Sequence, residues 1–130
     1  MSVEVGKVGD NTVIVDIDID RVLLYPDQAV PLSSLTAEGI TNAMQFIGAP
    51  IGQSPIIQVT LKQTGSARVL TITNSIGSDN VAKETELGAQ LINAFAIQLG
   101  GMIELEKSAD SYTLSLRSEV SEFMPNGRDF

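Results

Sequence analysis

Apolar and polar residues alternate in two runs near the start of the chain. Residues 3–8 alternate as a half-buried strand does, and residues 12–19 form a second run of the same kind. Residues 9–11, Gly-Asp-Asn, are turn formers. The two runs are therefore predicted to pair as a β-hairpin.

Three acids lie at a spacing of two around the end of the second run, at Asp16, Asp18 and Asp20. In a strand this spacing places them on one face. A calcium loop would also need a glycine and a bidentate glutamate at fixed positions, and these are missing. We interpret the acids as a solvated strand face and not as a metal site.

A helical period replaces the alternation further along. Residues 26–31 contain two prolines and are predicted to be a loop, and a helix is predicted to begin near Leu32 with Pro31 in its first turn. Glycines and prolines between residues 48 and 55 end this helix. Its apolar stripe consists of Leu32, Leu35, Ile40, Ala43, Met44 and Ile47.

The middle of the chain returns to a strand pattern. The β-branched runs 56–62 and 68–73 are predicted to form an antiparallel pair. Residues 74–86 are polar and rich in turn formers, which predicts a long loop, and long loops in compact domains are usually functional.

The last third contains a second helix and a second hairpin. Residues 87–99 have a helical apolar face that stops at Gly100-Gly101, and residues 102–106 and 112–116 are predicted strands. The order ββ-α-ββ-α-ββ predicts an α+β fold: a two-layer α/β sandwich with both helices on one face of a mixed, mostly antiparallel sheet. We expect residues 1–120 to form this domain and residues 121–130 a flexible tail.

Composition narrows the possible chemistry. The 130 residues are 43% apolar, which suits one globular domain, and the net charge of -8 disfavours nucleic acid as a partner. The absence of cysteine and histidine excludes disulfides, zinc–thiolate sites and a Ser-His-Asp triad. Without an apolar run long enough to span a bilayer or a signal peptide, a cytoplasmic domain with no direct membrane contact is expected.

Glu38 and Asn42 are the strongest candidates for chemistry. They lie four residues apart on the first predicted helix, so they share one face and could hold a water molecule and a hydrated Mg²⁺. The same spacing is common on exposed helix surfaces, which is the more frequent explanation. Gly39 between them costs about 1 kcal/mol against alanine in a helix, which indicates a close approach either by a ligand or by the sheet.

Three further residues could face the same ligand. Asn74 and Gly77 open the long loop at a strand end, and Gly88 begins the second helix, where backbone N–H groups attract anions. A turn and a helix start explain these residues equally well when each is taken alone. Together they predict one pocket between the first helix, the long loop and the second helix.

Several segments resemble a known family. Leu35-Thr-Ala-Glu38-Gly-Ile-Thr-Asn42-Ala43 resembles the asparagine box of the GHKL ATPases, and residues 87–101 look like the second glycine box and following helix of histidine kinases. The ending Gln-Leu-Gly-Gly at residues 98–101 is typical of the kinase branch. Residues 26–32 resemble the HWE and related, HisKA_2-like histidine kinases of alphaproteobacteria. The resemblance covers about residues 12 to 117.

The resemblance implies a Bergerat fold that binds ATP with Mg²⁺ as the catalytic domain of a sensor histidine kinase. Asn42 would ligate the metal and Glu38 would polarise the reacting groups. The γ-phosphoryl group would pass to a histidine on a separate dimerisation domain, of the same or another chain, and then to a response regulator. The ATP-binding residues implied in this way are Asn42, Gln45, Asn74, Gly77, Leu87 and Gly88.

Two departures from the family pattern keep other functions open. The first glycine box usually reads Asp-x-Gly-x-Gly, whereas residues 73–77 carry Asn74 in place of the aspartate and lack one glycine. Glu86 stands where the second box usually has glycine. A degenerate domain with weak or no ATP binding, acting as a scaffold or phosphotransferase lobe, is therefore the alternative. An anti-sigma-factor serine kinase is a third, disfavoured by residues 98–101.

Overall fold

The computed structural model describes residues 2–8, 11–50, 52–77 and 86–119, with only the backbone for 2–8, 11 and 86–88. Two helices and six strands follow one another in the predicted order. The helices are α1 (Pro26–Phe46) and α2 (Glu86–Gln98). The strands are β1 (Ser2–Val8), β2 (Asn11–Ile19), β3 (Ile56–Thr64), β4 (Ala67–Ser75), β5 (Met102–Lys107) and β6 (Ser111–Glu119).

The six strands form one sheet in the order β1-β2-β3-β4-β6-β5. Only β2 and β3 run parallel, and α1 provides the crossover connection that a parallel pair requires. The other four pairings are antiparallel. Both helices contribute to a single apolar core with one face of the sheet, which confirms the predicted α+β sandwich.

Helix α1 begins at Pro26, so the prediction of a loop at residues 26–31 and a start near Leu32 was wrong. Proline fits the first helical position because the N–H it lacks would have no partner there. The backbone N–H groups of Gln28 and Ala29 both donate to the carbonyl oxygen of Tyr25 at 2.9 Å, which closes the first turn. Pro31 therefore lies inside the helix, where its missing N–H costs one internal hydrogen bond.

Alternation on β4 decides which side chains meet the helices. Arg68, Leu70, Ile72 and Asn74 are buried, and the residues between them are only partly buried. Helix α1 approaches this face closely at Gly39, where a Cβ atom would lie 2.5 Å from Cδ1 of Ile72. Contact with the sheet therefore accounts for the glycine within the helix.

Helix α2 ends as predicted, at the glycine pair. Gly100 has a φ of +65°, a left-handed conformation that glycine adopts without strain. The N–H of Gly100 donates to the Ile97 carbonyl oxygen at 3.0 Å, and the N–H of Gly101 donates to that of Ala96 at 2.9 Å. This pair of bonds is the Schellman motif, and it satisfies the last carbonyl groups of the helix.

The acids near the end of β2 lie beside a lysine of β3. The Nζ atom of Lys62 is 2.8 Å from a carboxylate oxygen of Asp18 and 3.5 Å from one of Asp20. Asp20 also accepts a hydrogen bond from the backbone N–H of Gln63 at 3.0 Å. The acidic strand face is thus partly neutralised by the neighbouring strand.

Neither helix in the described part of the chain has the length and apolar character needed to cross a membrane.

Candidate functional site

A cleft opens between the helices and one end of the sheet. It measures about 340 Å³, including the space at its open mouth. No charged side chain occurs among the described residues that line it, so its chemistry rests on two amides, two aromatic rings and aliphatic groups. The lining residues are Gly39, Asn42, Ala43, Phe46, Ile72, Asn74, Ile92, Leu105, Tyr112 and Leu114.

Asn74 is the buried polar group of this cleft. It lies near the end of β4 with only 2% of its surface exposed, directly opposite Tyr112 of β6 in the strand register. Its Nδ2 group donates to the carbonyl oxygen of Ser75 at 3.2 Å. The adjacent backbone thus satisfies part of the amide, and the side chain stays within an otherwise apolar wall.

Ser75 joins the end of β4 to the segment that follows α1. Its Oγ atom donates to the Gly48 carbonyl oxygen at 2.5 Å and accepts from the Ile56 N–H at 2.9 Å. The Gly48 N–H in turn donates to the Ser75 carbonyl oxygen at 2.9 Å. These bonds fix the end of α1 against the strand, and so they fix Asn42 relative to Asn74.

Gly77 has a structural explanation of its own. A Cβ atom there would lie 3.3 Å from the carbonyl oxygen of Ala49, a backbone atom that cannot move aside easily. The close approach that this glycine allows is therefore to the segment after α1. Gly77 does not appear among the described residues that line the cleft.

The structure brings together two of the residues predicted to form the site, Asn42 and Asn74. Glu38 is half-buried one turn before Asn42, outside the cleft wall, and Gln45 is exposed on α1. Leu87 and Gly88 lie in the first turn of α2, where only the backbone is described, and residues 78–85 of the predicted loop lie outside the described residues. The roles assigned to these residues stay predictions.

Two aromatic residues of the cleft were not among the predicted site residues. Phe46 lies four residues after Asn42, so the helical repeat that paired Glu38 with Asn42 could have found it. Tyr112 faces Asn74 across the β4–β6 pair, and finding it required the strand order. No pattern in the sequence pointed to Leu105, which reaches the cleft from β5.

Solved structures with the same fold include histidine kinases. The blue-light activated histidine kinase EL346 of Erythrobacter litoralis aligns with 84% of this chain at a TM-score of 0.71 and 18% identity. Histidine kinase AdeS of Acinetobacter baumannii aligns with 85% at a TM-score of 0.66 and 13% identity. The isolated catalytic domain of histidine kinase ThkA aligns with 82% at a TM-score of 0.59 and 14% identity. The chain therefore has the fold of a histidine kinase catalytic domain.

The match covers 36% of the EL346 chain and 55% of the AdeS chain, but 80% of the ThkA catalytic domain. The chain thus spans about a third of the EL346 chain and about half of the AdeS chain. No family model matches the sequence, and no curated protein sequence is significantly similar to it.

Proposed function

We propose that this chain is the ATP-binding catalytic domain of a protein histidine kinase. The observation that carries the proposal is the meeting of Asn42 and Asn74 in one cleft, although they lie on different elements. The asparagine-box resemblance at residues 35–43 and the shared fold support the same function independently. The HWE-type branch remains the finer expectation, from residues 26–32.

The apolar part of the cleft suits an adenine base. Phe46 and Tyr112 offer aromatic surface, and Ile72 offers a flat aliphatic wall. The Oδ1 atom of Asn74 is the complementary acceptor for the exocyclic amino group of adenine. Because this acceptor is neutral, its hydrogen bond is worth about 1 kcal/mol, against roughly 1.5–3 for the carboxylate usual in the family.

The metal site depends on Asn42 and the nucleotide together. Mg²⁺ prefers oxygen ligands and keeps several waters, so one amide oxygen with phosphate oxygens is a suitable set. The described residues contain no group of three or more acidic, histidine or cysteine side chains that could hold a metal alone. Asn42 would hold the ion together with phosphate oxygens, and the ion would supply charge neutralisation there.

Beyond binding, the domain has to position the nucleotide and the reacting groups. The cleft would hold the base, Asn42 would hold the ion beside the phosphates, and Glu38, one helical turn away, would polarise the reacting groups. The γ-phosphoryl group is transferred to a histidine outside these 130 residues, which contain none, on the same or another chain, and from there to a response regulator. Phosphoryl transfer needs orientation and charge stabilisation above all, so a domain without histidine or cysteine suffices.

Isothermal titration of the purified chain with ATP and Mg²⁺ tests the proposal. We expect saturable binding that Asn42→Ala weakens at least about tenfold, the equivalent of 1.4 kcal/mol. Asn93→Ala is the matched control, because this asparagine is exposed on α2. An unmutated chain that takes up no nucleotide would refute the proposal and point to a degenerate domain.

Asn74→Asp probes the adenine assignment in the same titration. A carboxylate at this position strengthens the bond to the amino group, and we expect ATP to bind up to about tenfold more tightly. GTP, which presents a carbonyl oxygen there, should bind more weakly to the variant. Equal effects on both nucleotides would place the base elsewhere.

A further inference from the structure

A second cleft lies at the opposite end of the helix–sheet interface from Asn74. It measures about 230 Å³ with the space at its mouth. Among the described residues it is lined by leucines of the helix layer and the sheet, together with Arg68 of β4 and Ser118 of β6. Only 4% of the surface of Arg68 is exposed, so a buried cation lies in an aliphatic wall. The leucines are Leu32, Leu61, Leu70, Leu99 and Leu116.

The guanidinium group of Arg68 is only partly satisfied by the described residues. One Nη atom donates to the side-chain oxygen of Gln28 at 3.3 Å, a long hydrogen bond, and the buried Nε atom has no partner among these residues. None of the three ion pairs that they form includes Arg68. Burial lowers the pKa of the group, although an arginine still carries its charge at neutral pH.

A buried cation of this kind attracts an anion. Removing a charge from water without compensation is costly, and buried ionic groups in proteins are nearly always paired. The guanidinium group presents its N–H donors as a rigid fork, and two parallel donors of that fork match the two oxygens of a carboxylate. The Nε–H and the neighbouring Nη–H form one such pair of donors.

Ser118 adds a hydroxyl group beside this fork. It is directly opposite Arg68 in the antiparallel pair of β4 and β6, and side chains at opposite positions of such a pair are close neighbours. Both residues are buried and both line the second cleft. An anion held by Arg68 can therefore also accept a hydrogen bond from the Ser118 hydroxyl.

The leucines decide which anion suits the second cleft. An aliphatic wall cannot hydrogen-bond the oxygens of a highly hydrated anion such as phosphate, but it can bury an alkyl chain. The cleft is smaller than the roughly 300–1,000 Å³ of pockets for drug-sized ligands. A matching ligand thus has one carboxylate and a short chain of carbon atoms.

We propose that the second cleft binds a short aliphatic monocarboxylate. The fork of Arg68 holds the carboxylate, the Ser118 hydroxyl donates to it, and the alkyl chain packs against the leucines. This binding does not depend on the proposed ATP site, because Asn42 and Asn74 line the other cleft.

Isothermal titration of the unmutated chain with sodium hexanoate tests the proposal. We expect saturable binding at one site per chain. Butyrate and acetate should bind progressively more weakly, by about fourfold for each methylene group removed. Hexanamide, which has the same shape without the charge, should bind at least about tenfold more weakly than hexanoate.

Variants of Arg68 separate the charge from the fork. Arg68→Met should weaken hexanoate binding at least about tenfold and should still fold, because an apolar side chain then replaces a buried charge. Arg68→Lys keeps a charge without the fork and should give an intermediate affinity. Arg117→Met is the matched control: Arg117 is exposed and 3.9 Å from a carboxylate oxygen of Glu119, so its loss should leave hexanoate binding unchanged.

A second readout needs no variant. The Arg68 Nε–H signal in ¹⁵N nuclear magnetic resonance should shift during the hexanoate titration and saturate together with the measured heat. A chain that shows no saturable hexanoate binding would overturn the proposal. So would equal binding to the Arg68→Met variant, which indicates uptake by the leucines alone, or inorganic phosphate that binds through Arg68 as tightly as hexanoate, which indicates a site for any anion.

Discussion

The cleft at Asn74 and the second cleft, lined by Arg68, Ser118 and aliphatic side chains, lie at opposite ends of one strand face. Each of the two clefts contains one buried polar side chain of β4. Arg68 and Asn74 are six residues apart, with Leu70 and Ile72 between them on the same side of the sheet. Both side chains are almost fully buried. They differ in charge and in how many of their hydrogen-bonding groups have partners in the surrounding protein.

Because Asn74 is a neutral amide and Arg68 carries a charge, an unsatisfied group has a different cost at each of the two positions. The amide of Asn74 donates to the carbonyl of its own neighbour, and a neutral polar group left partly unsatisfied costs about 1–3 kcal/mol. Arg68 is a buried cation whose Nε atom has no hydrogen-bond partner among the described residues, and an unpaired buried ion costs several kcal/mol.

The largest predicted effect comes from removing the wall between the clefts. Leu35 is fully buried on α1, in the turn between Leu32 at the second cleft and Gly39 at the first. We expect Leu35→Ala to lower the free energy of unfolding by about 2–5 kcal/mol, from lost burial and the cavity left behind. Urea denaturation followed by circular dichroism measures it.

Leu23→Ala is the control for that measurement, because Leu23 is 86% exposed. It should change the free energy of unfolding by less than about 0.5 kcal/mol. If Leu35→Ala had an equally small effect, the clefts would not be separated by a packed wall, and their comparison as independent sites would fail.

Periodicity made most of the fold predictable from the sequence. Alternation located the strands that make up the hairpins, and the glycine pair at residues 100–101 located the end of α2. The start of α1 was not predictable by the same means, because two prolines in six residues are typical of a loop. In the structure one of these prolines begins the helix and the other lies inside it.

The candidate site was predictable only in part, for a similar reason. Asn42 and Asn74 are polar residues in motifs, and each motif lies within one segment. Tyr112 and Leu105 reach the cleft through the neighbouring positions of β4, β6 and β5, an order that is not local to any segment. Arg68 gave no signal at all, since an arginine at the start of a strand is usually exposed.

Alanine substitutions at two glycines test how rigid the fold is near each of the two clefts. We expect an intermediate effect on the free energy of unfolding. A Cβ atom at Gly101 would lie 2.7 Å from Leu116 Cδ1 and 3.0 Å from the Arg117 carbonyl oxygen. Because that oxygen belongs to the β6 backbone, we expect Gly101→Ala to cost about 1–3 kcal/mol. At Gly39 the nearest atom is the end of the Ile72 side chain.

Gly39→Ala should therefore cost less than Gly101→Ala. The clash can be relieved by a rotation of Ile72, and alanine regains about 1 kcal/mol of helix propensity, so we expect a net loss of about 1 kcal/mol or less. Thermal unfolding of both variants under one set of conditions gives the order. The reverse order would mean that the Asn74 end of the fold, and not the Arg68 end, is the more rigid.

The smallest predicted effect concerns a second cation near the Arg68 end. Lys62 lies on β3, opposite Val69, and unlike Arg68 it is exposed and has two carboxylates nearby. Its hydrogen bond and charge lower the pKa of Asp18 from the ordinary value of 3.8. The pair's contribution to stability is thus present above that value and is lost as the pH falls through the lowered pKa.

Lys62→Gln should remove this contribution. The free energy of unfolding should then depend slightly less on pH in the acid range. The urea midpoint of the unmutated chain should exceed that of the variant by a small, constant amount from neutral pH down to about pH 5, and the two should converge in stronger acid. Raising the salt to about 1 M should shrink the difference, because exposed pairs are screened. Lys107→Gln, an exposed lysine outside the described ion pairs, should leave the profile unchanged. A difference at neutral pH as large as the loss expected for Leu35→Ala would contradict this prediction, since an exposed ion pair would then matter as much as a buried core side chain.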